Sequence, residues 1–250
     1  MLSAAAWGAD YATLPGGRFE SVLPQGKVPT LATPVDVRPF EMRRTPVTLA
    51  EYLAFVRANP AWQRGHVPAL FADALYLASW PSALQLPPGV DPASPVVHVS
   101  WFAARAYCES EGARLPTWLE WEYAAAADET RRDARADPAW RQRILAWYAR
   151  PSNAPAGPVG GPPNVYGVSD LHGLAWEWVE DFNALFIAGD SRTQGDPDLA
   201  KFCGSGALNI VDRESYAVVM RIALLSSLDA AGTTGNLGFR CARPLESRAP

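Results

Sequence analysis

The chain is predicted to be a mixed α/β domain with short strands, capped helices and long ordered loops. Three observations predict this class. The 23 prolines interrupt regular elements again and again. The 10 tryptophans supply large apolar side chains that can anchor loops where regular structure is scarce. Two Thr-x-x-Glu capping boxes, Thr48/Glu51 and Thr117/Glu120, mark helix starts between stretches of alternating character.

Taken in order, Leu14–Val22 reads as a glycine turn feeding a strand, and Val35–Met42 alternates as a second strand. Thr48 opens a helix over Leu49–Ala58. Residues 59–95 read as a long ordered loop with a short helix near Ala69–Ala78. Ser100 caps a helix over Trp101–Glu111 that Gly112 stops, and Thr117 caps a third over Trp118–Ala127. Residues 128–149 are charged and helix-prone, and Pro151–Pro163 is a connector. From Val165 onward the chain reads as strand and loop. No linker divides it, so residues 10–245 are expected to form one domain. Residues 1–9, small and apolar, are expected to be the remnant of a secretory signal.

The composition excludes some classes. Hydrophobic residues make up 48% of the 250, enough for a substantial core. A net charge of -4 leaves no basic excess for phosphate backbones, which argues against nucleic acid. No apolar run is long enough to cross a bilayer as a helix.

Four segments, in order, carry a resemblance. They are Thr45-Pro46-Val47-Thr48; Pro95–Trp101 running through Cys108 to Arg114-Leu115-Pro116-Thr117 and Glu120–Ala125; Asn164–Val168 with Asp170–Gly173 and Trp176-Glu177-Trp178; and Asn236-Leu237-Gly238-Phe239-Arg240-Cys241. Together they resemble the formylglycine-generating enzyme (sulfatase-modifying factor) family. The resemblance implies a C-type-lectin-like α/β (α+β) fold. Trp101, Trp121, Trp176 and Trp178 are read first as loop anchors. Glu120 and Glu122, two apart on one helix, are read as capping or ion-pairing carboxylates rather than an acid/base pair.

The departures from the family matter most. Its copper-dependent oxidases use a cysteine pair, a donor set suited to soft Cu(I). Asp212 and Ala217 stand at those places here, which argues against standard conversion of a sulfatase cysteine to formylglycine. By resemblance, Cys108 and Cys241 form a disulfide, which fits an oxidising, exported setting. Cys203 stands where the family has a glycine-rich turn beside its substrate groove. With Met220 it forms the candidate soft-metal set, for copper or iron. Calcium is the other candidate cofactor. Leu174 replaces a calcium-ligating asparagine of the family motif, leaving Glu177, with Asn153 as a remnant of a second site. The expected catalytic set is Cys203, Asp212, Tyr216 and Arg221, and the expected groove set is Ser205, His172, Trp178 and Asn236. Among His66, His98 and His172, the last is the candidate for proton transfer.

The resemblance implies an exported accessory or maturation factor for a protein or peptide client, such as a redox or metal protein. Cysteine-free relatives act in siderophore maturation, and others accompany copper nitrite reductases. A metal-dependent oxidase built on Cys203 is the alternative, and a lectin-like scaffold ranks last. If the implied disulfide forms, thiol titration of denatured, unreduced protein will find one reactive thiol per chain; three would refute the bridge.

Overall fold

The computed structural model describes residues 10–22, 34–150, 156–183 and 216–245. Within them lie strands β1 (Tyr11–Leu14), β2 (Gly17–Phe19), β3 (Val35–Val37), β4 (Phe40–Arg43), β5 (Trp176–Glu177), β6 (Leu237–Gly238) and β7 (Ala242–Pro244). The helices are α1 (Leu49–Ala58), α2 (Trp101–Ser110), α3 (Trp118–Ala125), α4 (Pro138–Tyr148) and α5 (Tyr216–Ser226). No helix among the described residues is long and apolar enough to cross a membrane. Most of the described chain is turn and loop, as the proline count predicts.

The helix starts follow from cap chemistry. Thr48 and Thr117 each accept from the backbone N–H of the glutamate three residues on, whose carboxylate returns to the cap N–H. This closes both predicted capping boxes and satisfies donors that the first helical turn leaves open. Ser100 accepts from the Ala103 N–H, and Gly112 follows α2 at φ 70°.

Other expectations give way. Val35–Met42 is two strands, not one. Pro39 lacks an amide hydrogen, so the ladder breaks there. β3 pairs antiparallel with β2, while β4 lies between β1 and β7 in the three-stranded sheet. Leu14–Val22 is the expected glycine turn feeding a strand, β2, with β1 ending at Leu14 before the turn. Gly16 sits at φ 66°, and a Cβ there would come within 2.2 Å of the Val37 carbonyl, so the turn admits no side chain. The expected helix near Ala69–Ala78 is a series of turns. Leu77 adopts φ 48°, and Asp73 accepts from the Leu75 N–H and from Thr233. Only the second half of 128–149 is helical, because Asp128 gathers Thr130 and Arg131 into a turn and Asp137 then caps α4 at Pro138. α5 falls where strand and loop were expected. The signal-remnant residues lie outside the described chain.

One core fills the space between the three-stranded sheet and helices α1, α2 and α3. Tyr52, Tyr107 and Phe239 pack against one another at its centre, with Trp80, Trp118 and Trp121 around them. Through this core runs a disulfide between Cys108 on α2 and Cys241 before β7, with Cα atoms 5.4 Å apart and a sequence separation of 133. It ties the first helix of the central motif to the closing strand, a long loop whose closure restricts the unfolded chain. A satellite cluster of Ala134, Trp140 and Ile144 seats α4.

Candidate functional site

β5 carries the Trp-Glu-Trp segment and pairs in parallel with β6, so Trp176 lies opposite Leu237 and Glu177 opposite Gly238. The approach is close: a Cβ on Gly238 would meet the Val96 carbonyl at 2.5 Å. The three aromatic and acidic side chains then diverge. Trp178 is fully buried and donates its indole N–H to the Val99 carbonyl at 2.9 Å. It is therefore a loop anchor, as its size and single donor led us to expect. Trp101 does the same for the Val179 carbonyl at 3.0 Å. Trp176 is half-buried beside Trp147 and Tyr148 of α4.

Glu177 has no exposed surface. Its Oε2 accepts from the Trp121 indole N–H at 2.8 Å and from Arg240 Nε at 2.9 Å, and its Oε1 accepts from Arg240 Nη2 at 2.8 Å. Arg240, also fully buried, spends its remaining donors on the carbonyls of Arg43, Arg44 and Ser169. Both carboxylate oxygens are thus met by protein donors, and a guanidinium already neutralises the charge. This replaces the expected calcium-ligand role of Glu177: a hard cation needs free oxygen donors, and the adjacent Leu174 offers none. Among the described residues, no group of three or more His, Cys, Asp or Glu side chains comes together to hold a metal.

Arg221 reaches this cluster from α5. Its guanidinium lies 3.5 Å from the centre of the Trp121 ring and donates to the Glu177 carbonyl. Burial lowers it to about 10, so it remains a cation at neutral pH. It binds α5 to β5 and is a positioning group. Met220, its neighbour, is 39% exposed. Asn236 accepts from the Thr234 hydroxyl, and its carbonyl accepts from the Trp176 N–H, which holds the β5–β6 approach. Tyr216 opens α5. Cys203, Ser205, Asp212 and Asn153 lie outside the described residues.

Sequence reasoning missed Arg43. Its buried guanidinium joins the Tyr107 hydroxyl, Glu51 and Glu111, linking β4 to α1 and α2. It also missed the burial of Glu122, which accepts from Ser21, the Val22 N–H and the Trp118 indole. That burial holds the Glu122 carboxyl above its usual range. The remaining histidines are structural: His66 contacts the Pro60 carbonyl, and His98 sits at φ 58° against Gly235.

Comparison with known proteins gives a consistent result. The family described as Sulfatase-modifying factor enzyme 1-like domain matches residues 4–245. The chain is 33% identical to the formylglycine-generating enzyme of Streptomyces coelicolor, covering 92% of this chain and 87% of that protein. It is 34% identical to the hercynine oxygenase of Mycolicibacterium smegmatis over 58% of this chain and 38% of that one. The structure of PvdO from Pseudomonas aeruginosa superposes with a TM-score of 0.50 at 20% identity, covering 94% of each chain, a likeness of fold.

His172 sits edge-on to both Trp121 and Trp140, and its Nε2 lies 3.0 Å from the Ala125 carbonyl. A carbonyl can only accept, so Nε2 carries the proton and the buried Nδ1 is bare. Burial pushes the imidazole down to about 4, and the nearby Arg221 guanidinium acts in the same direction. It is therefore neutral near pH 7. The ordinary value of 6.5 applies to the unfolded chain. Between about 4 and 6.5 the unfolded chain binds a proton that the folded chain does not, so stability falls as pH drops through that window. Urea unfolding from pH 7 to pH 4.5 is expected to lose on the order of 2 kcal/mol through this group. His172→Phe will flatten that part of the slope; an unchanged slope would contradict the assignment.

Proposed function

Because the chain belongs to the formylglycine-generating enzyme (sulfatase-modifying factor) family, we propose that it is an accessory or maturation factor that uses the family scaffold without the family's thiol chemistry. The observation that carries this reading is the fate of its cysteines. The chain has three, and Cys108 and Cys241 are bonded to each other, so at most one sulfhydryl remains. A two-thiolate copper centre needs two, and the family's cysteine places hold Asp212 and Ala217. An aspartate is a hard oxygen donor and an alanine is no donor at all.

In this reading the scaffold binds a protein or peptide client, such as a redox or metal protein, beside the Trp176 segment and α5. The described part of that region contributes aromatic surface from Trp176, Trp147 and Tyr148, and the exposed, adaptable Met220. Export is part of the same reading, supported by a disulfide buried in the core, a type of bond that persists in oxidising compartments.

The test is direct. The purified protein, supplied with copper, oxygen and a peptide spanning a sulfatase cysteine, is expected to form no aldehyde above the level without protein, as read by hydrazide labelling. Metal analysis of the same sample is expected to find no stoichiometric copper or iron. Catalytic aldehyde formation, or a bound metal that Cys203→Ala removes, would overturn the proposal in favour of an altered oxidase.

A further inference from the structure

On the face formed by β2, the end of α3 and the loop before α4 lies an open cleft of about 490 Å³. That volume is in the range of small-ligand sites. One wall is aromatic and held rigid. Tyr166 stacks on Tyr123 with ring centres 5.4 Å apart, and Phe19 meets Tyr123 edge-on at 5.6 Å. The Tyr166 hydroxyl donates to that of Tyr123, which donates to the Gly16 carbonyl, so neither ring is free to turn away.

The polar lining is not balanced. Arg135 is occupied: it chelates Asp133, donates to the Glu20 carbonyl and lies 4.5 Å over the Phe19 ring. Arg18 and Arg132 also line the cleft, and among the described residues neither guanidinium has an ion pair or hydrogen bond. Of the two lining carboxylates, Asp133 pairs with Arg135, and Glu20 has no cationic partner at ion-pair distance among the described residues. With Arg135 and Asp133 cancelling, two arginines against Glu20 leave the lining one charge positive.

Two unengaged guanidiniums beside a rigid tyrosine wall match one ligand chemistry. A guanidinium fork takes a carboxylate through two parallel hydrogen bonds, and a flat ring stacks on a tyrosine face. We propose that this cleft is a binding site for a carboxylate joined to an aromatic ring, with Arg18 and Arg132 holding the anion and Tyr166 the ring. The site is separate from the Trp176 region and does not depend on the function assigned to it. The ligand has two sources, a free aryl acid or an acidic residue beside an aromatic one in a peptide.

Titrations of benzoate and of N-acetyl-aspartyl-phenylalanine amide into the intact protein, followed by ligand-observed NMR, test this and distinguish the sources. At least one probe is expected to bind with a Kd below about 1 mM, and the tighter one identifies the source. The neutral analogue benzamide is expected to bind at least tenfold more weakly. Arg18→Ala and Arg132→Ala are solvent-facing changes that leave the core alone. Each is expected to weaken binding several-fold, whereas Glu20→Gln is expected to strengthen it. Absence of binding by both probes, equal affinity for benzamide, or indifference to both arginine changes would overturn the proposal.

Discussion

The buried ion pair between Glu177 and Arg240 is the constraint on which the central region depends. One guanidinium spans β5, β4 and the loop at Ser169, and every N–H it carries has an acceptor. Two opposite charges in a dry interior gain little net stability over apolar residues of the same shape, because desolvation offsets their attraction. What they impose is position. Only one placement of β5 brings the Glu177 oxygens between Arg240 and the Trp121 indole, so the Trp-Glu-Trp segment has one register against β6. The Cys108–Cys241 disulfide fixes the residue after Arg240 to α2.

This bracing changes what the site can do. A carboxylate that the family resemblance offers to a cation is here committed to a cation of the protein's own. Arg221 extends the arrangement by lying over the Trp121 ring and bonding the Glu177 carbonyl, so α5 is docked on the same cluster. Positive charge from two arginines surrounds a single carboxylate, and His172 stays neutral beside them. A region with this balance disfavours an added metal cation and tolerates an anionic or apolar contact.

The sequence disclosed what local chemistry decides. Both capping boxes were legible because the groups that bond are three residues apart, and the anchoring role of the tryptophans followed from their size and single donor. Long-range pairings were not legible. Glu177 and Arg240 are 63 residues apart, and nothing in a Trp-Glu-Trp segment names the guanidinium that will meet it. The family resemblance pointed that glutamate towards calcium, and packing assigned it otherwise. α5 lies in the stretch from Val165 onward that was expected to be strand and loop; Val218, Val219 and Ile222 are β-branched within a nearly continuous apolar stretch, where helical and strand periods cannot be separated. Val35–Met42 misled in the opposite way, since its alternation is real on both sides of Pro39 but serves two different sheets. The Arg18–Arg132 cleft has no motif, because its two arginines come from segments far apart in sequence.

A double-mutant cycle on Glu177 and Arg240, read by urea unfolding, tests the central claim most directly. Glu177→Gln and Arg240→Met should each cost about 3–5 kcal/mol, since each leaves a buried charge without its partner. The double variant should cost little more than either single one, giving a coupling of at least about 2 kcal/mol. Losses that add to within about 0.5 kcal/mol would mean that the two side chains act independently, and would contradict the account.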